Sequence, residues 1–393
     1  MAATSSPLIG FSPRVRQSPF FTATQRWGAK AYSTYNHMYM PLYYDSPVAD
    51  YWKLVEGVTL WDVGVERQVE ISGPDAARFI QYLTPRDLSE TQAGQCKYVL
   101  LCDETGGIVN DPVLLKLAED RFWLSLADSD VLLWAKGLAL AGKWDVEIHE
   151  PDVSPLQVQG PKSPEVMAAL FGDWIHELKY FWFRETELDG IPVVVSRTGW
   201  SSERGYEVFL RDGSRGDELW EKIMAAGAPF GIAPGAPSTI RRIEGAMLSY
   251  GSDMDLGVNP YELGLGRLVA LDSGLDFIGK AALARIEKAG VSRRFCGLAI
   301  EGAPLHGGNQ EHWICRYNGA DCGKMTSAIY SPRLDFNMGL ALLSLEAAEE
   351  GRAVEVLGPQ GPLPAKVVPL PFYDPMKSLA TGAAERTQPA ASA

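Results

Sequence analysis

The sequence lacks the signatures of several common classes of protein. Its 393 residues include five cysteines without Cys-x-x-Cys spacing and five histidines without a His-x-x-x-His pair. We therefore expect reduced cysteines rather than a disulfide framework, and no transition-metal site. No Gly-x-Gly-x-x-Gly follows a strand pattern, which removes the usual phosphate cradle of a dinucleotide-dependent dehydrogenase. Gly-x-Ser-x-Gly is absent as well.

Basic charge and long apolar runs are also scarce. The formal net charge is -13 and the pI is near 5.0, which argues against a nucleic-acid or anionic-membrane partner. No apolar run approaches the length that crosses a bilayer. Asp and Glu are missing before Asp45, so residues 1–44 resemble a transit peptide in charge. Their many aromatic residues favour a retained arm instead, and we expect a cytoplasmic protein.

One acidic residue stands out in the segment from Arg197 to Leu210, which joins a glycine-punctuated turn to an alternating strand. Glu207 lies on the strand face opposite Tyr206 and Val208, because successive side chains point to opposite faces. A carboxylate can accept two parallel N–H donors, such as the aminopyrimidine edge of a pterin or a guanidinium. The alternative is a solvated strand face on which Glu207 pairs with an arginine.

A second polar interruption lies in the segment from Cys102 to Leu115, which predicts a hairpin. Asn110 and Asp111 stand in the middle of its apolar returning strand. Such residues pack poorly in strands, so the Asn-Asp-Pro break indicates a site. A bulge at a sheet edge is the alternative.

The segment from Ser238 to Met254 predicts a helix, with Ser238 as its cap and Gly251 as its end. Its apolar residues recur at helical spacing, and Arg242 flanks them. From this segment alone, an ordinary amphipathic helix with solvated charges is the preferred interpretation.

The rhythm of strand and helix patterns predicts a multidomain α+β fold, with two α/β subdomains of mixed or antiparallel sheets and a C-terminal β-barrel. At this length two or three domains are expected. The predicted divisions are an arm at 1–44, two similar subdomains at about 45–150 and 151–290, a barrel at 291–375, and a disordered tail at 376–393.

Four motifs in order carry a family resemblance. They are Gly106-Gly-Ile-x-Asn-Asp-Pro112, Thr198-Gly-Trp-Ser-x-x-x-Gly-Tyr-Glu207, Arg242-Ile-Glu-Gly-x-x-x-x-Tyr-Gly-Ser-Asp-Met254 and Asn259-Pro-Tyr-Glu262. With these, the chain resembles the tetrahydrofolate-dependent aminomethyltransferase (glycine-cleavage T-protein) family from about Tyr35 to about Val368. Within that family it is most similar to demethylases that take a methyl group from dimethylsulfoniopropionate. Asn110 replaces the Asp, and Trp200 the Tyr, that are usual in glycine-cleavage members.

The resemblance implies a tetrahydrofolate cofactor in a central channel and transfer of a methyl group from a sulfonium donor to N5 of tetrahydrofolate. It implies that Asp111 is catalytic and that a set of residues binds the cofactor. That set is Tyr98, Asn110, Asp111, Glu207 and Arg242. A substrate cage for the onium head is expected from Tyr35, Trp200 and Tyr206. A substrate carboxylate would need a cation, for which Lys30, Arg197 and Arg204 are the candidates.

Three other interpretations stay open. One is a folate-dependent O- or N-demethylase of another small methylated molecule, and a second is aminomethyl transfer in glycine cleavage. The third is a non-catalytic folate-binding protein, because a fold alone does not guarantee chemistry. A homodimer is the assembly we consider.

Overall fold

The structure is a computed structural model that describes residues 10–359 and 361–383. Its strands are β1 (Ala31–Tyr35), β2 (Met38–Tyr43), β3 (Thr59–Asp62), β4 (Gln68–Ser72), β5 (Cys96–Tyr98), β6 (Leu101–Cys102), β7 (Ile108–Asn110), β8 (Val113–Ala118), β9 (Arg121–Ser125), β10 (Glu147–His149), β11 (Ser154–Gln159), β12 (Phe183–Leu188), β13 (Ile191–Ser196), β14 (Gly205–Leu210), β15 (Ala233–Gly235), β16 (Arg293–Ile300), β17 (Trp313–Tyr317), β18 (Ala320–Ser331), β19 (Phe336–Ser344), β20 (Ala353–Gly358) and β21 (Gly361–Val368). Its α-helices are α1 (Phe21–Arg26), α2 (Pro47–Glu56), α3 (Ala76–Leu83), α4 (Val131–Gly142), α5 (Ser163–Phe171), α6 (Gly216–Gly227), α7 (Thr239–Glu244), α8 (Lys280–Ala289) and α9 (Ser378–Thr381).

Two sheets form the centre of the N-terminal part. The first sheet has the strand order β10-β4-β9-β8-β5, and the second has the order β12-β13-β14-β11-β3-β15. Neighbouring strands are antiparallel, apart from the parallel pair of β3 and β15. The hairpin β1-β2 and the hairpin β6-β7 stand outside these sheets.

Each sheet buries one face against helices, as the alternation of apolar side chains predicts. On the first sheet, α3 and α4 cover a core that includes Ile71 and Leu124. On the second, α5 and α6 cover a core that includes Val158 and Tyr206. The result is a layered arrangement with helices on the outside of both sheets.

The other faces of the two sheets meet each other. Leu115 and Trp123 of the first sheet pack in one cluster with Val194 and Phe209 of the second. Every residue of β14 is therefore buried, those on one face by helices and those on the other by the first sheet. A polar side chain on an inner face consequently lies between two sheets, away from bulk water.

The C-terminal strands close a barrel in the order β16-β19-β18-β17-β20-β21. Its interior is filled by small and aliphatic residues, among them Leu298, Ala328 and Val356. This agrees with the small barrel that the sequence predicts beyond Arg293. Among the described residues, no helix has both the length and the apolar character of a membrane-spanning segment.

Two local predictions need correction. The helix predicted to continue towards Gly251 ends at Glu244, and Ala246 beyond it has a positive φ of 52°. Ser238 does cap it, accepting a hydrogen bond from the Arg241 backbone at 3.3 Å. The predicted disordered tail is also partly wrong, because α9 lies within it. The remainder of that tail, 384–393, lies outside the described residues.

The N-terminal arm packs onto the body where it is described. Phe20 and Tyr39 are 0% and 1% exposed. Phe20 joins the core between the second sheet and its helices. The arm therefore supplies part of the fold, as the aromatic content of this segment predicts. Residues 1–9 of the predicted arm lie outside the described residues.

Candidate functional site

A row of side chains crosses the inner face of the second sheet. Trp61 pairs with Gln157, Gln157 pairs with Glu207, and Glu207 pairs with Ser196 on four adjacent strands, β3, β11, β14 and β13. Directly paired residues share a face. Glu207, only 4% exposed, thus points into the space between the sheets, as the alternation of its strand predicts.

Neutral donors hold the Glu207 carboxylate. Gln157 Nε2 donates to Oε1 at 2.7 Å, and the hydroxyls of Ser196 and Thr198 donate to Oε2. Over residues 10–359 and 361–383, no nitrogen of Lys, Arg or His comes within 4.0 Å of this carboxylate. Burial raises its pKa, against these hydrogen bonds. The alternative of a solvated acid paired with an arginine therefore does not describe Glu207.

The turn before β14 explains why this segment is rich in glycine. A Cβ at Gly199 would lie 2.3 Å from Gln159 Nε2, and one at Gly205 would lie 2.2 Å from Gln159 Oε1. Glycine at both positions lets the Gln159 amide lie against the backbone, where Ser201 donates to it at 2.6 Å. The turn is thereby fixed beside Trp200 and Glu207.

A second acid, Glu66, adjoins Glu207 and was missed at the level of sequence. Gln157 Nε2 bridges the two, donating to Glu66 Oε1 at 3.2 Å as well as to Glu207. Ser125 Oγ donates to Glu66 Oε2 at 3.4 Å. Burial and then the charge of Glu207 raise the pKa of Glu66 well above its usual value. The sequence did offer one signal. Glu66 stands two residues before Gln68, the first residue of β4, so strand alternation puts both side chains on the same face.

Asp111 lies at the break between β7 and β8, where the sequence predicts a site. Tyr98 Oη donates to Asp111 Oδ2 at 2.9 Å, whereas Oδ1 is buried and accepts no hydrogen bond from the described residues. Burial raises the pKa of Asp111 to about 7, although the Tyr98 hydrogen bond acts in the opposite direction. Such a carboxyl group can exchange a proton near neutral pH.

The Asn110 side chain is held by hydrogen bonds to a neighbouring loop. Its Nδ2 donates to Ala127 O at 3.0 Å and to Ser129 Oγ at 2.8 Å, and its Oδ1 accepts from Ala127 N at 3.1 Å. Both amide protons are occupied and the side chain is fully buried. The contacts therefore give Asn110 the task of holding the end of β7, beside Asp111, rather than the predicted direct contact with a cofactor.

Tyr35, at the end of β1, lies close to the acids. Burial raises its pKa well above the usual value, and the charges of Asp111 and Glu66 add to that shift. The next residue, Asn36, has a positive φ of 48° and donates its backbone N–H to Asp128 Oδ1 at 2.9 Å. That turn directs the hairpin of β1 and β2 towards the inner faces of the sheets.

Trp200 and Arg242 form a connected pair on another side of Glu207. Trp200 N donates to Gln157 Oε1 at 3.4 Å, and the Arg242 guanidinium carbon lies 5.9 Å from the Trp200 ring centroid. Arg242 donates to Asp253 at 2.6 Å and to Ser327 Oγ at 2.6 Å. The Asp253 carboxylate thus balances the charge of Arg242, and the Arg242 guanidinium packs against the Trp200 ring.

The structure does not bring Tyr206 into this group. It is 0% exposed and belongs to the core that α5 and α6 cover. Because it adjoins Glu207 in sequence, it points to the opposite face of β14. Its assignment to the substrate cage is therefore corrected.

The three cations considered for a substrate carboxylate are engaged elsewhere or lie outside this group. Lys30 Nζ donates to Asp45 O at 3.1 Å on the surface. Arg197 donates to Thr381 O at 2.6 Å, next to α9. Burial and then the charge of Arg204 lower the pKa of Arg197, and both side chains lie close to Gly382. The cation for a substrate carboxylate stays unassigned.

The chain matches two family models and several characterised proteins. The GCVT N-terminal domain matches residues 20–273, and the glycine cleavage T-protein C-terminal barrel domain matches residues 293–374. Dimethylsulfoniopropionate demethylase DmdA of Ruegeria pomeroyi is 42% identical over 358 residues, covering 91% of this chain and 97% of that protein. An aminomethyltransferase of Alkaliphilus metalliredigens is 30% identical over 367 residues, covering 91% and 97%.

A solved structure shares the fold. The crystal structure of the glycine cleavage system aminomethyltransferase T from Bartonella henselae superposes with a TM-score of 0.82 at 22% identity. The match covers 92% of this chain and 98% of that one. The predicted combination of layered sheets and a closing barrel is confirmed.

Proposed function

The chain belongs to the glycine cleavage T-protein family, and from this premise we propose that it demethylates dimethylsulfoniopropionate, transferring a methyl group to N5 of tetrahydrofolate. The products are 5-methyltetrahydrofolate and a thioether. The enzyme class, a tetrahydrofolate-dependent methyltransferase, and its cofactor are those predicted from the sequence. The observation that carries the choice of donor is the likeness to the Ruegeria demethylase along nearly its whole length.

The described residues fit the cofactor at two places. The Glu207 carboxylate, which has only neutral donors around it, is suited to the paired N–H groups of an aminopyrimidine edge. Asp111 Oδ1 has no partner, so it can receive a hydrogen bond or a proton from a ligand. Bound between these residues, tetrahydrofolate would supply a nucleophilic ring nitrogen.

The protein contributes alignment and charge. A sulfonium already carries a good leaving group, so holding donor and acceptor in line can supply on the order of 7 kcal/mol without a covalent enzyme intermediate. Asp111, fixed by Tyr98, then takes the proton that the acceptor releases or stabilises the cation that precedes its release. Tyr35 and Trp200 provide aromatic faces for the onium head.

Several finer assignments belong to the proposal. The division of the chain into an arm, two subdomains, a barrel and a tail is supported by the separate match of the barrel, and the cytoplasmic location by five cysteines that form no disulfide. Small-molecule turnover at a buried site needs no nucleic acid. A homodimer is our working assembly.

The test is an assay of purified enzyme with tetrahydrofolate and a panel of methylated donors, scored by mass spectrometry. We expect 5-methyltetrahydrofolate from the sulfonium donor and from neither aryl ethers nor methylated amines. Formation of methylenetetrahydrofolate and ammonia from a lipoyl-bound aminomethyl group, with no reaction of the sulfonium, would instead establish glycine cleavage.

A further inference from the structure

Two glutamates on the same side of the first sheet differ in their partners. Glu70 of β4 is 6% exposed and accepts from Arg121 at 2.8 Å and from Trp123 Nε1 at 2.7 Å. Glu66, four residues earlier, accepts from Gln157 and Ser125, both neutral, and contacts the carboxyl group of Glu207. A buried carboxylate is costly unless a positive charge accompanies it. Glu70 has its cation in Arg121, and no described Lys, Arg or His pairs with Glu66.

The two acids near Glu66 also lack a positively charged partner among the described residues. Among the residues that the structure describes, none of the carboxylates of Glu66, Glu207 and Asp111 has a Lys, Arg or His nitrogen within 4.0 Å. Arg242, which supports Trp200 beside them, is already paired with Asp253.

Two buried acceptors in the same region accept no hydrogen bond from residues 10–359 or 361–383. One is Asp111 Oδ1, and the other is Oε1 of the fully buried Gln68. The Gln68 amide is attached to the cluster, since its Nε2 donates at 2.9 Å to the Ser125 hydroxyl that serves Glu66. Each is an acceptor that the positive end of a ligand can occupy.

We infer that Glu66 makes this site selective for a permanently cationic methyl donor, because its carboxyl group, with those of Glu207 and Asp111, ionises against the positive charge that an onium group brings. This inference rests on the proposed function and names the residue that selects the donor class. Tyr35, whose ring lies near both Asp111 and Glu66, supplies the aromatic contact for the onium methyl groups.

The chemistry explains why the cation must be permanent. A protonated amine can pass its proton to a carboxylate, which leaves two neutral groups and no ion pair. A sulfonium has no proton to give, so its attraction to the acids persists. Transfer of the methyl group, with the carbon–sulfur bonding pair remaining on sulfur, turns the donor into a neutral thioether. Glu66 then holds the product less tightly than the substrate, which favours product release.

The test compares binding of dimethylsulfoniopropionate with binding of the thioether acid that remains after demethylation. Calorimetry on the wild type, Glu66→Gln and Glu66→Asp gives the ratio of the two affinities for each protein. We expect Glu66→Gln to reduce the preference for the sulfonium by about tenfold or more, while Glu66→Asp keeps most of it. Tetrahydrofolate affinity should change much less than this preference, because Gln157, Ser196 and Thr198 still hold the Glu207 carboxylate in both variants.

Glu70→Gln is the matched control, since it removes a buried negative charge from the same strand face without touching the site. It should leave the preference for the sulfonium unchanged. The inference is overturned if Glu66→Gln leaves the ratio unaltered, if it weakens tetrahydrofolate binding instead, or if Glu70→Gln lowers the ratio equally. Failure of the proposed function gives a different result, namely a wild type that neither prefers the sulfonium nor demethylates it.

Discussion

Two buried groups of charged residues lie near the centre of this molecule, and they differ in charge balance. The α7 network contains Glu203, Arg241, Glu244 and Arg333, and the inner acid cluster contains Glu66, Asp111 and Glu207. In the α7 network, Arg241 lies 2.9 Å from Glu203 and 3.7 Å from Glu244. Arg333 lies 3.9 Å from each of these acids. In the inner acid cluster the partners are amides and hydroxyls.

The difference indicates that the α7 network is structural and that the inner acid cluster is suited to bind a ligand. The α7 network joins the turn after Trp200 to the barrel, and its Glu244 also accepts from Tyr51 Oη and Ser331 Oγ, both at 2.7 Å. Its two acids are balanced by two arginines of the protein. In the inner acid cluster, no described Lys, Arg or His nitrogen lies within 4.0 Å of a carboxylate. Burial alone therefore does not mark a functional acid; burial without a cation does.

Breaking the balance of the α7 network should have the largest effect. Arg241→Met leaves two buried acids with one distant arginine, and we expect a loss of about 3–5 kcal/mol in the free energy of unfolding. Urea unfolding measures it. The control is Arg78→Met, which removes a pair with Asp75 from a side chain that is 74% exposed; it should cost less than about 1 kcal/mol. Equal losses for the two variants would show that the network contributes no more than a surface pair.

Neutralising an acid of the inner cluster should instead affect turnover. For Asp111→Asn we expect turnover to fall on the order of a hundredfold, because the proton acceptor is lost, with little change in tetrahydrofolate affinity. Rates of 5-methyltetrahydrofolate formation and a binding titration test the two parts. Glu104→Gln removes a charge from the exposed turn of the same hairpin and should leave the rate intact. Activity of Asp111→Asn within a few-fold of wild type would remove Asp111 from its role.

The pH dependence of the free energy of unfolding should also distinguish the inner acid cluster from the α7 network. The pKa of Asp111 is raised to about 7 in the folded protein, so folding binds its proton more tightly. The stability it contributes is present below its unfolded pKa, near 4, and is lost as the pH rises through about 7. Wild type should therefore lose on the order of 2 kcal/mol relative to Asp111→Asn between about pH 5 and about pH 8.

Urea unfolding of both proteins at the two pH values measures this difference. The same comparison between wild type and Arg241→Met should show a smaller pH dependence, because arginine stays protonated throughout. If the difference between wild type and Asp111→Asn does not change over this range, Asp111 is ionised normally in the folded protein.

The smallest effect should come from the neighbour that orients Asp111. Tyr98→Phe removes the hydrogen bond to Asp111 Oδ2, and we expect turnover to fall roughly fivefold to tenfold. Since that bond lowers the pKa of Asp111, the inflection of the pH–rate profile should also move upward by up to about one unit. Tyr250→Phe, which loses a hydroxyl that donates to Ile108 O at 3.1 Å in the same hairpin, should not move the inflection.

Local patterns located the central acids but not their surroundings. The alternation of β14 predicts the face of Glu207, and the Asn-Asp-Pro break marks Asp111. The same alternation places Tyr206 away from Glu207, so its assignment to the cage was inconsistent with the strand pattern. Asn110 could not be judged from the sequence, because its partners Ala127 and Ser129 belong to another loop.

The sequence by itself determined the family, the layered α+β fold with its barrel, and the two acids that interrupt apolar strands. These follow from short-range rules, since strand alternation and turn residues act over a few positions. Only the tertiary structure brought Glu66 next to Glu207, 141 positions apart by their numbers, and excluded a cation from their neighbourhood. Charge balance inside a protein depends on which distant segments pack together, and no local pattern records it.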